Sequence, residues 1–411
     1  MRPSVLIVTA SRWFPTARLA AALARAGCQV NAVCPSRHPM AKLAGVRKTY
    51  PYRSLMALAS LREAIRATKP DLVVPGDDLA TRHLHRLHAS EMRRGTARHP
   101  ICDLIERSLG SRDSFPLVYA RTASMELARG AGIRSPRTEV IASLTDLKRW
   151  AKSTGFPTVL KANGTSGGEG VRVVHNLEEA EAAFRTLQAP PLLLRAFKRA
   201  VVNQDKTLLW PSLLRHRSVV NAQEFVPGRE GTSAVACWKG AVLASLHFEV
   251  IHKRDHAGPS SVVRLIENAE MSAAAEVMVR ELNLSGLHGF DYMLENDTGN
   301  AYLIEINPRA TQVGHLTLGP GRDLPAALYA ALSGEPVKTS PTVTENDTIA
   351  LFPQEWTRDP ASPFLQSAYH DVPWDEPGLL GNFAGKRPQK DTPALISAEI
   401  RTLSAARLPR L

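Results

Sequence analysis

The sequence predicts an α/β protein: a parallel α/β domain at the N-terminus, followed by a larger module of mixed strands and helices. Three observations carry this. Apolar strand-like runs alternate with amphipathic helical runs over residues 4–74. A glycine-rich segment at 164–170 joins two short apolar strands. A second hairpin over 288–307 carries acidic residues between apolar neighbours. A chain of 411 residues is long enough for two or three domains.

The elements follow in order. Ser4–Thr9 reads as a buried strand, and residues 16–27 as a helix whose apolar face includes Leu19 and Leu23, with Gly27 placed to stop it. Gln29–Val33 is a second strand. A helix over about 56–68 and the strand Asp71–Val74 complete a β-α-β-α-β run. The first strand-to-helix loop, Thr9–Pro15, lacks Gly-x-Gly-x-x-Gly, so there is no dinucleotide fingerprint. Residues 82–112 are basic, with seven Arg against three acidic residues, and they read as a solvated helix. The spacing of His83, His85 and His88 fits one helix face poorly as a metal site.

Further helices are predicted over about 121–131, over 146–153 with Thr145 as N-cap, and over 177–187. Strands are expected at 156–161, 171–174, 219–225, 233–238 and 241–249. A helix at 271–283 leads to the acidic hairpin, and a last helix spans about 323–332. A second basic segment, 195–217, has six Lys and Arg against one Asp. A Pro-rich stretch follows the last helix, and within it residues 340–380 carry seven acidic residues against one Arg.

Composition narrows the function. The chain is 44% hydrophobic and 22% charged, as expected of a globular protein, with a formal net charge of +12 that speaks to anionic partners rather than fold. No run is long enough for a transmembrane helix or a signal-peptide core. Cys28, Cys34, Cys102 and Cys237 form no Cys-x-x-Cys pair, so the expectation is a cytoplasmic protein with reduced thiols. Nucleic acid is a poor fit, because the segment 195–217 interleaves only Phe197 and Trp210 with its basic residues.

Four glycines in 164–170 let backbone N–H groups approach an anion, and no Gly-Lys-Ser/Thr follows, so this is not a Walker A loop. It reads as a phosphate-binding hairpin flap with Lys161 at the end of the incoming strand. A flexible turn is the bland alternative, but it would need only one or two glycines. In the acidic hairpin, pairing Glu295 with Ala301 puts Asp291 opposite Glu305, and Glu305 shares a face with Asn307. Two carboxylates and an amide oxygen form a hard-oxygen set suited to Mg²⁺. Arg309 is the alternative compensation for the like charges.

These residues together resemble the ATP-grasp superfamily. The resemblance rests on Phe156–Lys161 with the loop through Gly170, on Gln223–Glu230, and on Gly289–Asp291 followed by Glu305–Arg309. Their order and spacing are similar to those of biotin carboxylase, D-alanine–D-alanine ligase and carbamoyl-phosphate synthetase. The resemblance covers about 115–335, with a small lobe at 140–220 and a large lobe at 221–335. It leaves 1–114 as an N-terminal domain and 336–411 as a C-terminal extension.

It implies ATP and Mg²⁺ (or Mn²⁺) as cofactors. It implies that Arg121 and Lys161 contact phosphates, and that the loop containing Gly167, Gly168 and Gly170 closes over them. Glu224, Phe225 and Val226 would read adenine through backbone groups, and Glu230 would bind the ribose. Asp291, Glu305 and Asn307 would hold the metal, and Arg309 would join Lys161 in stabilising the transferred phosphoryl group. His315 is read as catalytic or, more commonly for a lone His, structural. Lys253 and Arg254 reach the phosphate or substrate, or simply end a surface strand.

The expected activity is a ligase that makes an acyl-phosphate from a carboxylate and passes it to an amine or thiol. The expected partners are small-molecule carboxylate and amine substrates, or an acidic carrier, and a homodimer is compatible with this. The alternatives are a biotin-dependent-type carboxylase subunit and an ATP-binding regulatory or nucleic-acid-binding protein.

Overall fold

The computed structural model describes residues 2–95, 99–163, 170–189, 218–255, 258–338, 340–381 and 383. Gly167, Gly168 and the basic segment 195–217 lie outside the described residues. The chain divides into two compact units. The first comprises Met1–Arg112, Gly231–Phe290 and Asn307–Leu411, and the second Asp113–Glu230 and Asp291–Ile306.

The first unit begins with β1 (Ser4–Val8), α1 (Phe14–Arg25), β2 (Gln29–Cys34), β3 (Val46–Pro51), α2 (Ala57–Thr68), β4 (Leu72–Pro75), α3 (Asp78–Met92) and α4 (Pro100–Leu109). The strands form an all-parallel sheet in the order β3-β2-β1-β4. Val5 through Val8 are fully buried on both faces, which is why this strand reads as an unbroken apolar run. Gly27 follows α1 with φ +109, and a Cβ there would meet the Tyr329 ring at 2.8 Å. At the carboxyl ends of the strands, Asp77 caps α3 through Ala80 N–H at 2.8 Å. Its other oxygen accepts from Thr9 Oγ1 at 2.6 Å and from Ala10 N–H at 2.7 Å, which fixes the first loop.

Two expectations for this unit need correction. The edge strand β3 was not anticipated, because its charged residues Arg47 and Lys48 mask the strand pattern on an open edge. Residues 82–92 and 100–109 of the basic stretch lie in α3 and α4, separate helices that bury Leu84, Leu87, His88, Leu104 and Ile105, so these parts are packed helices rather than one solvated helix. The histidines take separate partners: His83 Nδ1 meets Tyr52 Oη at 3.0 Å, and His88 Nε2 meets Glu106 at 2.6 Å. Among the described residues no group of three or more His, Cys, Asp or Glu is arranged to hold a metal ion.

The second unit holds α5 (Arg121–Gly130), β5 (Thr138–Ile141), α6 (Leu144–Thr154), β6 (Thr158–Ala162), β7 (Val171–Val174), α7 (Leu177–Gln188) and β8 (Val220–Glu224). Its antiparallel sheet runs β5-β8-β6-β7. Leu147 and Trp150 of α6 and Phe184 of α7 pack on Leu160, Ala162 and Ala222, the set of side chains that alternation sends to one face. The cap of α6 is Ser143 rather than Thr145. Its hydroxyl accepts from Asp146 N–H at 3.2 Å and donates to the Asp146 carboxylate at 2.8 Å, a reciprocal bond available only three residues upstream.

The remaining elements are β9 (Gly228–Trp238), β10 (Ala241–Lys253), β11 (Ser260–Leu265), α8 (Ala269–Glu281), β12 (Gly286–Glu295), β13 (Ala301–Asn307), α9 (Leu324–Ser333), β14 (Thr348–Ala350) and β15 (Tyr369–His370). In the first unit the order is β9-β10-β11-β14-β15, antiparallel except for the last pair. β11 was not anticipated, since Gly258-Pro259 and two serines give its start a loop composition. The stretch read as an acidic C-terminal extension contributes β14, and Ile349, Leu351 and Leu379 enter the same core as Leu246, Phe248 and Val263. β12 and β13 are hydrogen-bonded neighbours, and their segment Asp291–Ile306 belongs to the second unit.

Candidate functional site

The second unit gathers several of the expected residues. β6 and β7 form the anticipated hairpin: Lys161 pairs with Val171, and Ala162 N–H donates to Gly170 C=O at 2.8 Å. Leu160 and Ala162 point toward α6 and α7, so Lys161 points to the opposite face. The register places Val140, Asn221, Lys161 and Val171 in one row across that face. Lys161 is only 5% exposed. Its burial pushes the ammonium pKa down to about 8 and Arg121 adds to the shift, while Glu305, Asp291 and Glu230 oppose it. Four of the predicted residues therefore act electrostatically on the fifth.

Arg121 opens α5, an unfavourable place for a cation at a helix N-terminus. It is compensated there: Nη2 donates to Glu305 Oε1 at 2.6 Å. A chain of side chains supports the pair. Arg121 Nη1 lies 3.5 Å from Asn163 Oδ1, which accepts from Asn221 Nδ2 at 2.9 Å, and Asn221 Oδ1 accepts from Thr122 Oγ1 at 3.0 Å. Asn163, Asn221 and Thr122 were not anticipated. The available signal was Asn221 itself, a polar residue inside the apolar run Val219–Ala222, because a buried amide must find partners.

The acidic hairpin has the expected residues on its less buried side. Phe290 and Tyr292 are fully buried and flank Asp291. On β13 the buried positions are Ala301, Leu303 and then Ile306, so alternation changes phase once and leaves Glu305 and Asn307 on one face. Gly228 is required at the start of β9, because a Cβ would lie 2.2 Å from Leu294 C=O. Glu224 is engaged on both sides with Arg137: its N–H donates to Arg137 C=O at 3.0 Å, and its carboxylate accepts from Arg137 N–H at 2.9 Å. Phe225 is exposed and Val226 buried.

In the first unit, Arg309 Nε is 3.3 Å from Asp78 Oδ1, and Nη2 donates to Asn307 Oδ1 at 3.4 Å. Thr81 Oγ1 donates to Pro308 C=O at 2.9 Å and Ala310 N–H donates to Pro75 C=O at 3.1 Å, which clamps the segment to the end of β4. Gly289 packs closely here, since a Cβ would lie 2.3 Å from Thr311 Cγ2 and 3.3 Å from the Asn307 Cβ. His315 is buried, and its Nε2 is bonded to Asp371 at 2.8 Å, which supports the structural reading. Lys253 ends β10, and Arg254 pairs with Asp255 at the surface. The four cysteines are buried thiols; burial pushes Cys28 up to about 12 and Cys34 up to about 11, so neither is a ready nucleophile.

Residues 121–318 match the family model described as carbamoyl-phosphate synthase L chain, ATP binding domain. This stretch, just under half of the chain, is therefore similar to the ATP-binding domain of the ATP-grasp superfamily. Among curated proteins, this chain is 27% identical over 191 residues to acetyl-CoA carboxylase 1 of Arabidopsis thaliana, covering 46% of itself and 8% of that protein. It is 24% identical over 232 residues to the carbamoyl phosphate synthase large chain of Gemmatimonas aurantiaca, covering 55% of itself and 19% of that protein. It thus spans under a fifth of the length of either relative.

Two solved structures share the ATP-grasp fold. The biotin carboxylase domain dimer of Hydrogenobacter thermophilus 2-oxoglutarate carboxylase, with MgADP, ADP and bicarbonate, gives a TM-score of 0.59 at 15% identity, covering 83% of this chain and 71% of that one. The N5-carboxyaminoimidazole synthase of Aspergillus clavatus, with ADP and 5-aminoimidazole ribonucleotide, gives 0.57 at 16% identity, covering 82% and 78%. No helix among the described residues is long and apolar enough to cross a membrane.

Proposed function

We propose that this chain is an ATP-dependent ligase that activates a carboxylate as an acyl-phosphate and transfers the acyl group to an amine. The observation that carries the reading is the cluster in the second unit: a nearly buried Lys161 and the Arg121 guanidinium set against Glu305, Asp291 and Glu230. Cations alone would suit any anion. Cations with carboxylates suit a nucleotide triphosphate that brings its own divalent ion.

In this reading Lys161 and Arg121 hold the phosphates, and the hairpin through Gly170 shields them from water. Glu224, Phe225 and Val226 lie along the base, and Glu230 bonds the ribose hydroxyls. Asp291, Glu305 and Asn307 would hold Mg²⁺, since all three offer oxygen donors and two are carboxylates. The ion, when bound, supplies charge neutralisation of the phosphates. The substrate carboxylate attacks the γ-phosphorus as the bond to ADP breaks. Arg309, steadied by Asp78, balances charge on the transferred group. The amine then attacks the acyl carbon, loses a proton and expels phosphate. The solved synthase binds an aminoimidazole ribonucleotide, which supports an amine acceptor and gives the net positive charge of this chain a phosphorylated candidate.

A second reading is favoured by the bicarbonate found with the 2-oxoglutarate carboxylase domain: bicarbonate is the carboxylate, and the product is a carbamate or carboxylated acceptor. One screen tests both. ADP release is measured with ATP, Mg²⁺, carboxylates including ¹³C-bicarbonate, and amines, with mass detection of conjugates. Glu305→Ala should lower turnover by at least about 10²-fold, and Lys161→Ala should weaken ATP binding. Full activity in Glu305→Ala overturns the metal assignment.

A further inference from the structure

Arg121 and Glu305 are more than two members of one cluster; they use each other. Arg121 Nη2 is 2.6 Å from Glu305 Oε1, a charge-assisted bond at close range. The Arg121 side chain is 10% exposed and that of Glu305 is 32% exposed, so the cation is the better shielded partner and the carboxylate the more accessible one. Arg121 is also braced from behind, through Asn163 and Asn221 to Thr122, and Asn221 is itself completely buried.

A divalent ion on Glu305 would take Oε1 or lie a few ångström from the guanidinium on Oε2, and like charges at that range repel. The Arg121–Glu305 pair and a cation on Glu305 therefore compete. A polyphosphate offers Arg121 a partner of higher charge than one carboxylate. We propose that Arg121 is a latch on Glu305, released by nucleotide phosphate, so that nucleotide binding opens the cation position and a free divalent ion does not enter first. This rests on the assignment of Glu305 as a metal ligand. It adds an order of assembly and a role for Arg121 beyond holding phosphate. The consequence is positive coupling between nucleotide and metal at the protein, in addition to their affinity for each other.

The test is Mn²⁺ binding to the full chain by electron paramagnetic resonance, with and without ADP, which needs no turnover. In nucleotide-free protein Arg121→Gln should bind Mn²⁺ at least about tenfold more tightly than wild type, the scale of removing one close like charge. Arg121→Lys, which keeps the cation, should stay near wild type and controls for folding. An unchanged Mn²⁺ affinity in Arg121→Gln, alongside loss of ADP-dependent Mn²⁺ binding in Glu305→Gln, overturns the latch and leaves the metal assignment standing. If Glu305→Gln binds Mn²⁺ normally with ADP present, the metal assignment fails and the latch fails with it.

Discussion

Lys161 shows how a single side chain can be held ready for an anion. Its ordinary pKa of 10.5 drops to about 8 because burial penalises the ammonium more than the neighbouring carboxylates repay. The sign of the pH effect follows. Below about 8 both folded and unfolded chains carry the proton, and the cost of burying the charge is fully present. Between about 8 and 10.5 the unfolded chain holds a proton that the folded chain has lost, so stability rises with pH across that window. Phosphate affinity moves the other way. ATP binding, followed by titration calorimetry from pH 7 to 10, should weaken as pH climbs through about 8, and Lys161→Arg should flatten the profile. A flat wild-type profile would remove Lys161 from the phosphate contacts. Lys161, Glu305 and Asp291 were legible in the sequence because glycines and turn residues mark their hairpins. The bonds joining Arg121 to Glu305 were not, because 184 residues separate the partners and no local pattern encodes that contact.

Among the elements, the instructive case is the link between α1 and the segment around β15. Arg18 donates to both the Asp371 carboxylate at 2.5 Å and its backbone carbonyl at 2.7 Å, and His315 takes the other carboxylate oxygen. Burial opposes the charge on Asp371, but Arg18 and His315 together outweigh it and hold the carboxyl below its usual range. Removing the carboxylate leaves a buried guanidinium unpaired. Asp371→Ala should cost about 3 kcal/mol of stability, read from the midpoint of urea unfolding, and an unshifted midpoint would refute the account. Strand prediction failed where this logic of partners was needed. β3 and β11 carry polar or loop-like residues and become strands because β2 and β10 offer them hydrogen bonds. β1, by contrast, was plain from its own residues, being apolar throughout.

On the scale of the whole molecule, the charge and the C-terminal third change meaning. Within the basic stretch 82–112, Arg94 is paired with Glu91 at 3.1 Å and Arg107 donates to Asp71 C=O at 3.0 Å, so part of that charge is structural. Described residues after Glu335 enter the core: β14 pairs with β11 through Val262–Ala350 and Val263–Ile349. A chain truncated after Glu335 should lose cooperative unfolding and aggregate, because it exposes both an open strand edge and the apolar surface under Ile349 and Leu351. A monodisperse, cooperatively melting truncation in size exclusion and circular dichroism would contradict this. The sequence by itself determined the fold class, the two hairpins and the residue types at the site, since period, turn chemistry and carboxylate spacing are local properties of a chain. Only the tertiary structure decided which cation meets which carboxylate, that His315 is bonded to Asp371, and that the acidic stretch after Glu335 completes a sheet. Those are contacts between residues far apart in sequence, and they form only when burial brings the partners together.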